Sequence, residues 1–250
     1  MVLYATLGVC GLGAALFVYR YDLYDREPWP LLLLAIALGA AAMPMAGIAE
    51  DRVLAGARIT GPAAVAALAA LIEELARLAV VALLALAARR AFNDPMDGLV
   101  YGSMVGLGMA IEESVFYLGG SPARVLPPEE LVRIAGHLVM GGVGGFGVGM
   151  ARLGMAGAPL AVAAGLGAAS LLHFGWDWLT LGAGPRGLSA RETVLGVGLM
   201  LGGMGVYGTL VTIGSRWSQV RFAPGFPRSL WGWPFVRRRG VPAQGPPASS

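Results

Sequence analysis

The chain has no lysine: all 18 of its basic residues are arginine. Charged residues of both signs make up 13% of its 250 residues, and Cys10 is the single cysteine. One cysteine excludes an intrachain disulfide and a cysteine metal cluster, and its place inside an apolar run reads as small apolar filler. So few charges exclude an ordinary soluble domain of this length. The net charge of +3 suggests an anionic partner, but the arginines lie mostly between apolar runs and in the C-terminal stretch. They read as topology signals, and no nucleic-acid partner is expected.

What is abundant is apolar: 56% of the residues are hydrophobic and the mean hydropathy is +0.68. Apolar stretches recur at Val2 to Tyr19, Leu31 to Ala49, Pro62 to Ala88, Gly98 to Leu118, Val132 to Ala151, Pro159 to Leu179 and Val194 to Ile213. Each is long enough, as a helix, to cross a hydrocarbon core of ~30 Å. The fold class expected is therefore all-α, a polytopic transmembrane helix bundle of about seven spans. The first run lacks a basic n-region and ends in Tyr19-Arg20-Tyr21-Asp22 instead of a small-residue cleavage site, so it reads as an uncleaved span.

The short segments between runs are rich in charge, Pro and Gly and suit interfacial loops. From Ser215 the composition shifts to Arg, Pro, Gly and Trp, with Arg237-Arg238-Arg239. This divides the chain into a membrane domain, 1–214, and an extended tail, 215–250. The positive-inside rule puts the tail in the cytoplasm with the Arg20/Arg26, Arg89/Arg90 and Arg152 loops, and the N-terminus outside a cell membrane. Inside the spans, Gly98, Gly102 and Gly106 repeat at intervals of four, as do Gly141, Gly145 and Gly149, which predicts closely packed helices.

Polar side chains within such runs are costly, roughly 2.5–3.5 kcal/mol each on insertion scales, so each needs a partner or a task. The third run carries Glu73, Glu74 and Arg77. Arg77 stands one turn from both acids and ion-pairs with one of them, while the two glutamates diverge by about 100° around the helix. The fourth run carries Glu112 and Glu113, of which Glu112 is expected to reach the interface. His137 and His173, the only histidines, lie in the fifth and sixth runs, and Asp177 stands one turn after His173, where it orients the ring. Trp176 and Trp178 read as interface anchors. With alternating helix directions, Glu113, His137 and His173 fall roughly 8 to 9 Å from the same membrane face, with the glutamate pair somewhat deeper. A polar, water-accessible pocket is expected there.

Carboxylates and imidazoles suit hydrolysis: a glutamate takes a proton from water while a neutral histidine or a metal polarises a carbonyl. Two versions stay open. In one, Zn²⁺ is held by His137, His173 and Glu113; in the other, the site is metal-free and histidine stabilises the oxyanion. A proton-coupled transporter would use the same residue types, but no internal repeat is evident. A catalytically inactive membrane scaffold is the other alternative.

Glu73-Glu74-x-x-Arg77, Asp97-Gly98-Leu-Val-Tyr101-Gly102 with Glu113 and Tyr117 following, His137, and His173-x-x-Trp176-Asp177 together resemble the PrsW family of intramembrane proteases. The match runs from Ile72 to Trp178 in the family's order. The glutamate pair and the His-x-x-x-Asp step are more distantly similar to CAAX prenyl endopeptidases and their bacterial relatives. The resemblance implies peptide-bond hydrolysis within the membrane by Glu73, Glu74, Glu113, His137 and His173, supported by Arg77, Asp177 and Ser114. The implied substrate is a membrane protein such as a single-span anti-sigma factor. Two positions depart from the pattern: Asn would be expected where Ser114 stands, and Lys is commoner where Arg77 stands.

Overall fold

A computed structural model describes residues 2–120, 125–184 and 187–224. Among these residues the chain forms seven helices and no strand: α1 (Val2–Tyr21), α2 (Trp29–Ala57), α3 (Pro62–Ala87), α4 (Pro95–Gly119), α5 (Pro128–Arg152), α6 (Ala158–Ala183) and α7 (Ala190–Phe222). Five of them, α2 to α6, begin with proline at the first or second position, where a missing N–H costs nothing. Reciprocal capping boxes start α4 (Asp94 with Asp97) and α7 (Ser189 with Glu192). Six helices are long and apolar enough to cross a membrane. The seventh, α3, has a comparable length of 26 residues and differs by carrying Glu73, Glu74 and Arg77. The all-helical polytopic bundle is as expected.

Helix α4 is the axis of the bundle, buried without interruption from Pro95 to Ala110, with α1, α2, α3, α5 and α7 packed around it. Glycine makes this possible. A Cβ at Gly98, Gly102 or Gly106 would collide with backbone oxygens of Gly145, Gly141 or His137 on α5. The two helices therefore meet backbone to backbone, with no side chain able to slip between them. Gly39 on α2 and Gly108 on α4 allow the same approach on the opposite side. Large apolar side chains such as Leu12, Leu33, Leu83, Phe116, Leu160, Leu171 and Leu201 face outward, as a lipid-facing surface requires.

Where the segment joining α1 and α2 meets the start of α4, a polar cluster closes the bundle. Asp22 accepts the Glu27 N–H at 2.7 Å, the Tyr101 hydroxyl donates to Glu27, and Asp97 accepts the N–H groups of Asn93 and Asp94 at 2.6 and 2.7 Å. The Ser218 hydroxyl of α7 donates to Asp94. Burial raises Asp22 to about 8 and Glu27 to about 7. Ser218 is why α7 continues past Ser215, the boundary drawn from composition, to Phe222: both serines lie on its buried face. Residues 225–250, with the Arg237-Arg238-Arg239 run, lie outside the described residues.

Candidate active site

Glu73 and Glu74, adjacent on α3, face different ways. Glu74 is 3% exposed, pairs with Arg77 one turn later, and accepts from His173 Nδ1 at 2.9 Å. Arg77, itself 2% exposed, reaches on to His137 Nδ1 at 2.7 Å through its second terminal nitrogen. It can do so because Gly141, one turn after His137 on α5, leaves room: a Cβ there would lie 3.3 Å from Arg77 Cδ. One carboxylate and one guanidinium thus hold both histidines, whose rings sit 5.3 Å apart at 66°.

These contacts fix where the ring protons are. A guanidinium can only donate, so His137 Nδ1 is an acceptor and Nε2 carries the hydrogen. A carboxylate already paired with Arg77 accepts, so His173 Nδ1 carries the hydrogen and, in the neutral ring, Nε2 keeps its lone pair. With His173 neutral, the two histidines offer one donor and one acceptor.

Beside them opens a cavity of about 440 Å³, lined by Glu73, Glu113, His137, His173 and Asp177, with Glu50, Tyr117 and Arg133 also in its wall. Glu74 does not line it. Glu73 Oε2 is buried, has no hydrogen-bond partner, and lies 3.7 Å from His173 Nε2. Glu113 lies 3.0 Å from His137 Nε2 and 3.3 Å from Arg133, which also pairs with Glu130 and covers the Tyr117 ring. Asp177 Oδ2 is 3.4 Å from His173 Nε2.

A family model described as PrsW family intramembrane metalloprotease matches residues 27–202. The chain belongs to the PrsW family. It is also similar to a protein named Protease PrsW from Geobacillus kaustophilus (strain HTA426), with 29% identity over 171 residues, covering 68% of this chain and 76% of that protein. No solved structure matches it. As a PrsW-family member, the chain is an intramembrane protease.

The family description implies a metal. Glu73, His137 and His173 offer ligand atoms within 4.8 Å of one another, the two-His, one-carboxylate set of many catalytic zinc sites. Glu113, expected as the carboxylate ligand, is not among them; it pairs instead with Arg133 and His137. His173 suits a ligand, since Glu74 holds its Nδ1 and leaves Nε2 free. His137 does not: Nδ1 is occupied by Arg77 and Nε2 holds the proton. As arranged, the set gives a metal two ligands where catalytic sites use three, and the residues do not fit one.

Most residues singled out from the PrsW-like pattern come together here, in one layer as their depths suggested. Three behave differently from expectation. The carboxylate closest to His173 is Glu74, not Asp177, which lies on the opposite side of the ring. Ser114 is fully buried away from the cavity, its hydroxyl without a partner. Trp176 lines the cavity and would meet a Cβ at Gly196 of α7, so it is no lipid anchor, whereas Trp178 is 52% exposed. Glu112 stays outside the cavity.

Glu50, Glu129 and Arg133 also line the cavity. Glu50 lies just beyond the apolar run that ends at Ala49, but α2 continues to Ala57 and carries it into the wall. Arg133 stands within the fifth apolar run, one turn before His137, and that spacing is the sequence signal for it.

Proposed function

We propose that this PrsW-family protease hydrolyses a peptide bond of a membrane protein with Glu73 as general base and without a metal. The observation that carries it is the division of labour within the glutamate pair. Glu74 is spent on Arg77 and His173, whereas Glu73 presents a buried, unpartnered oxygen to the cavity beside the lone pair of His173. Water held between Glu73 and His173 Nε2 gives a proton to Glu73 as its oxygen attacks the carbonyl carbon. The carbonyl electrons move onto oxygen, where the His137 Nε2–H stabilises the charge. The carbon–nitrogen bond then breaks, the proton on Glu73 passes to the leaving amine, and a carboxylic acid and an amine result. Glu113 keeps His137 turned to the cavity, and Asp177 flanks the attacking water.

The substrate we infer is a single-span protein of the anti-sigma-factor type, the class that the family resemblance implies. A cell-membrane location with a cytoplasmic C-terminus is favoured by Arg20, Arg26, Arg89, Arg90, Arg152, Arg216 and Arg221, which lie at one end of the alternating helices.

The test is cleavage of a single-span substrate in detergent by wild-type and Glu73→Gln protein. The variant is expected to lose on the order of 10²- to 10⁴-fold in rate, the range of a general base, while keeping its melting temperature. Undiminished cleavage would remove Glu73 from the mechanism. In the same assay 1,10-phenanthroline should leave wild-type cleavage intact. Loss of cleavage that stoichiometric Zn²⁺ restores would overturn the metal-free reading.

A further inference from the structure

The catalytic groups account for only part of the cavity wall. Another part is an apolar patch of neighbouring residues, Val139 and Met140 of α5, Leu172 of α6, and Leu199, Met200 and Gly203 of α7, without a polar side chain among them. It lies close to the chemistry: Val139 and Met140 stand within one turn of His137, and Leu172 directly precedes His173. A peptide bond held at the histidines would place a neighbouring side chain there.

The wall is soft where α7 builds it. Between α4 and α5 the backbones touch, whereas at this patch α7 meets α5 and α6 through the ends of flexible side chains. A Cβ at Gly136 would lie 3.3 Å from Met200 Cε, and one at Gly175 would lie 2.9 Å from Leu199 Cδ2. Methionine and leucine tips can shift to fit an apolar guest, and Met140 and Met200 are the most adaptable of them. A charged guest would lose its hydration without gaining a partner.

Gly203 sets the size. It is buried in the wall, and a Cβ there would lie 3.2 and 3.3 Å from the Leu172 methyls and 3.4 Å from Val139 Cγ1. Alanine is a tight fit, and a longer side chain has to displace Leu172 and Val139 or take up space beside them in the wall. Its neighbour Gly202 is exposed, with nothing within 4 Å of a Cβ.

We propose that this apolar patch is a subsite for one hydrophobic side chain of the substrate, beside the scissile bond, and that Gly203 determines how large that side chain can be. The proposal rests on the reading of the cavity as the catalytic chamber. It assigns the ligand class as an aliphatic, thioether or phenyl side chain of the size of Leu, Met or Phe.

The experiment uses single-span model peptides identical except for Ala, Leu, Phe or Asp at the residue beside the bond that wild type cleaves, with the bond located by mass spectrometry. Cleavage by wild-type, Gly203→Leu, Gly203→Ala and Gly202→Leu protein is compared. Binding of a fluorescent version of each peptide to Glu73→Gln protein is measured in parallel, alone and combined with Gly203→Leu. Wild type should favour Leu over Ala in kcat/KM by at least about 10-fold, the scale of hydrophobic-pocket discrimination, and should reject Asp. Gly203→Leu should erase or reverse that ratio while still cleaving the Ala peptide. Gly203→Ala should move it partway, and Gly202→Leu should leave it unchanged.

An unchanged Leu-to-Ala ratio in both Gly203 variants would overturn the subsite while leaving the catalytic reading standing. If the Glu73→Gln protein binds the Leu peptide preferentially and Gly203→Leu abolishes that preference, the subsite holds even if wild type cleaves nothing. Binding indifferent to the side chain would overturn it.

Discussion

Two groups of acids lie buried in this bundle, and they are put to different uses. The group at the loop between α1 and α2 consists of Asp22, Glu27, Asp94 and Asp97, and its bonds go to backbone N–H groups and to the Tyr101 and Ser218 hydroxyls. The group at the cavity consists of Glu73, Glu74 and Glu113 with Arg77, Arg133 and two histidines. Each carboxylate of the first group is consumed in joining one segment to another. In the second, Glu74 is consumed in the same way and Glu113 is held by Arg133 and His137, but Glu73 keeps a buried oxygen without a hydrogen-bond partner. Burial alone does not mark a working acid; an unspent oxygen beside a cavity does.

The comparison is sharpest if the spent and unspent members of the cavity group can be separated. Glu73→Gln should cost rate and not stability. Arg77→Leu should do the reverse first, because it leaves Glu74 buried without its counter-charge, at a cost of about 3–5 kcal/mol. Thermal unfolding in detergent measures it. The double variant Arg77→Leu, Glu74→Leu should recover much of that stability, since an apolar pair of similar volume replaces the ion pair, yet remain inactive because His137 and His173 lose the partners that set their protons. A double variant that still cleaves would show the pair to be structural only.

At the loop cluster the expectation is inverted. Tyr101→Phe removes the hydroxyl that donates to buried Glu27 and stacks the same ring on Phe92, so packing is kept and one hydrogen bond to an acid is lost. Stability should fall by about 1.5–3 kcal/mol. Cleavage by the protein that stays folded should be unchanged at a temperature well below its transition. A fall in kcat with no fall in melting temperature would tie this cluster to the chemistry.

Much of the cavity group was legible in the sequence, because a charge inside an apolar run is conspicuous and the runs alternate in direction. Glu73, Glu113, His137 and His173 could be placed in one layer by counting residues. What counting could not give was which glutamate is spent, since that depends on Arg77 reaching past Gly141 to a histidine on another helix. Glu50 was hidden by a helix that outlasts its apolar run. Of the loop cluster, only Asp97 and Tyr101 stand out in the sequence, through the PrsW-like pattern. Asp22, Glu27 and Asp94 sit in segments rich in Pro and charge, where acids are ordinarily solvated, and only the docking of that loop onto α4 buries them.

The smallest expected effect concerns that docking. Asp22 lies outside the helices, and burial holds its carboxyl up at about 8, against 3.8 for an ordinary aspartate. Glu27, Asp25 and Asp94 face it and push the same way, while the Glu27 N–H opposes them. Between those two pKa values the folded chain keeps a proton that the unfolded chain has released, so stability falls as pH rises from about 4 towards 8. Asp22→Asn cannot ionise, and its amide oxygen can still accept from Glu27. Its melting temperature should match wild type near pH 4, exceed it by a few degrees at pH 8, and fall less steeply between. Some slope should persist, since Glu27 is raised to about 7 and Asp94 to about 6. If wild type and variant instead show parallel slopes, Asp22 is ionised in the folded protein, and this loop is held by charge as the cavity is and not by shared protons.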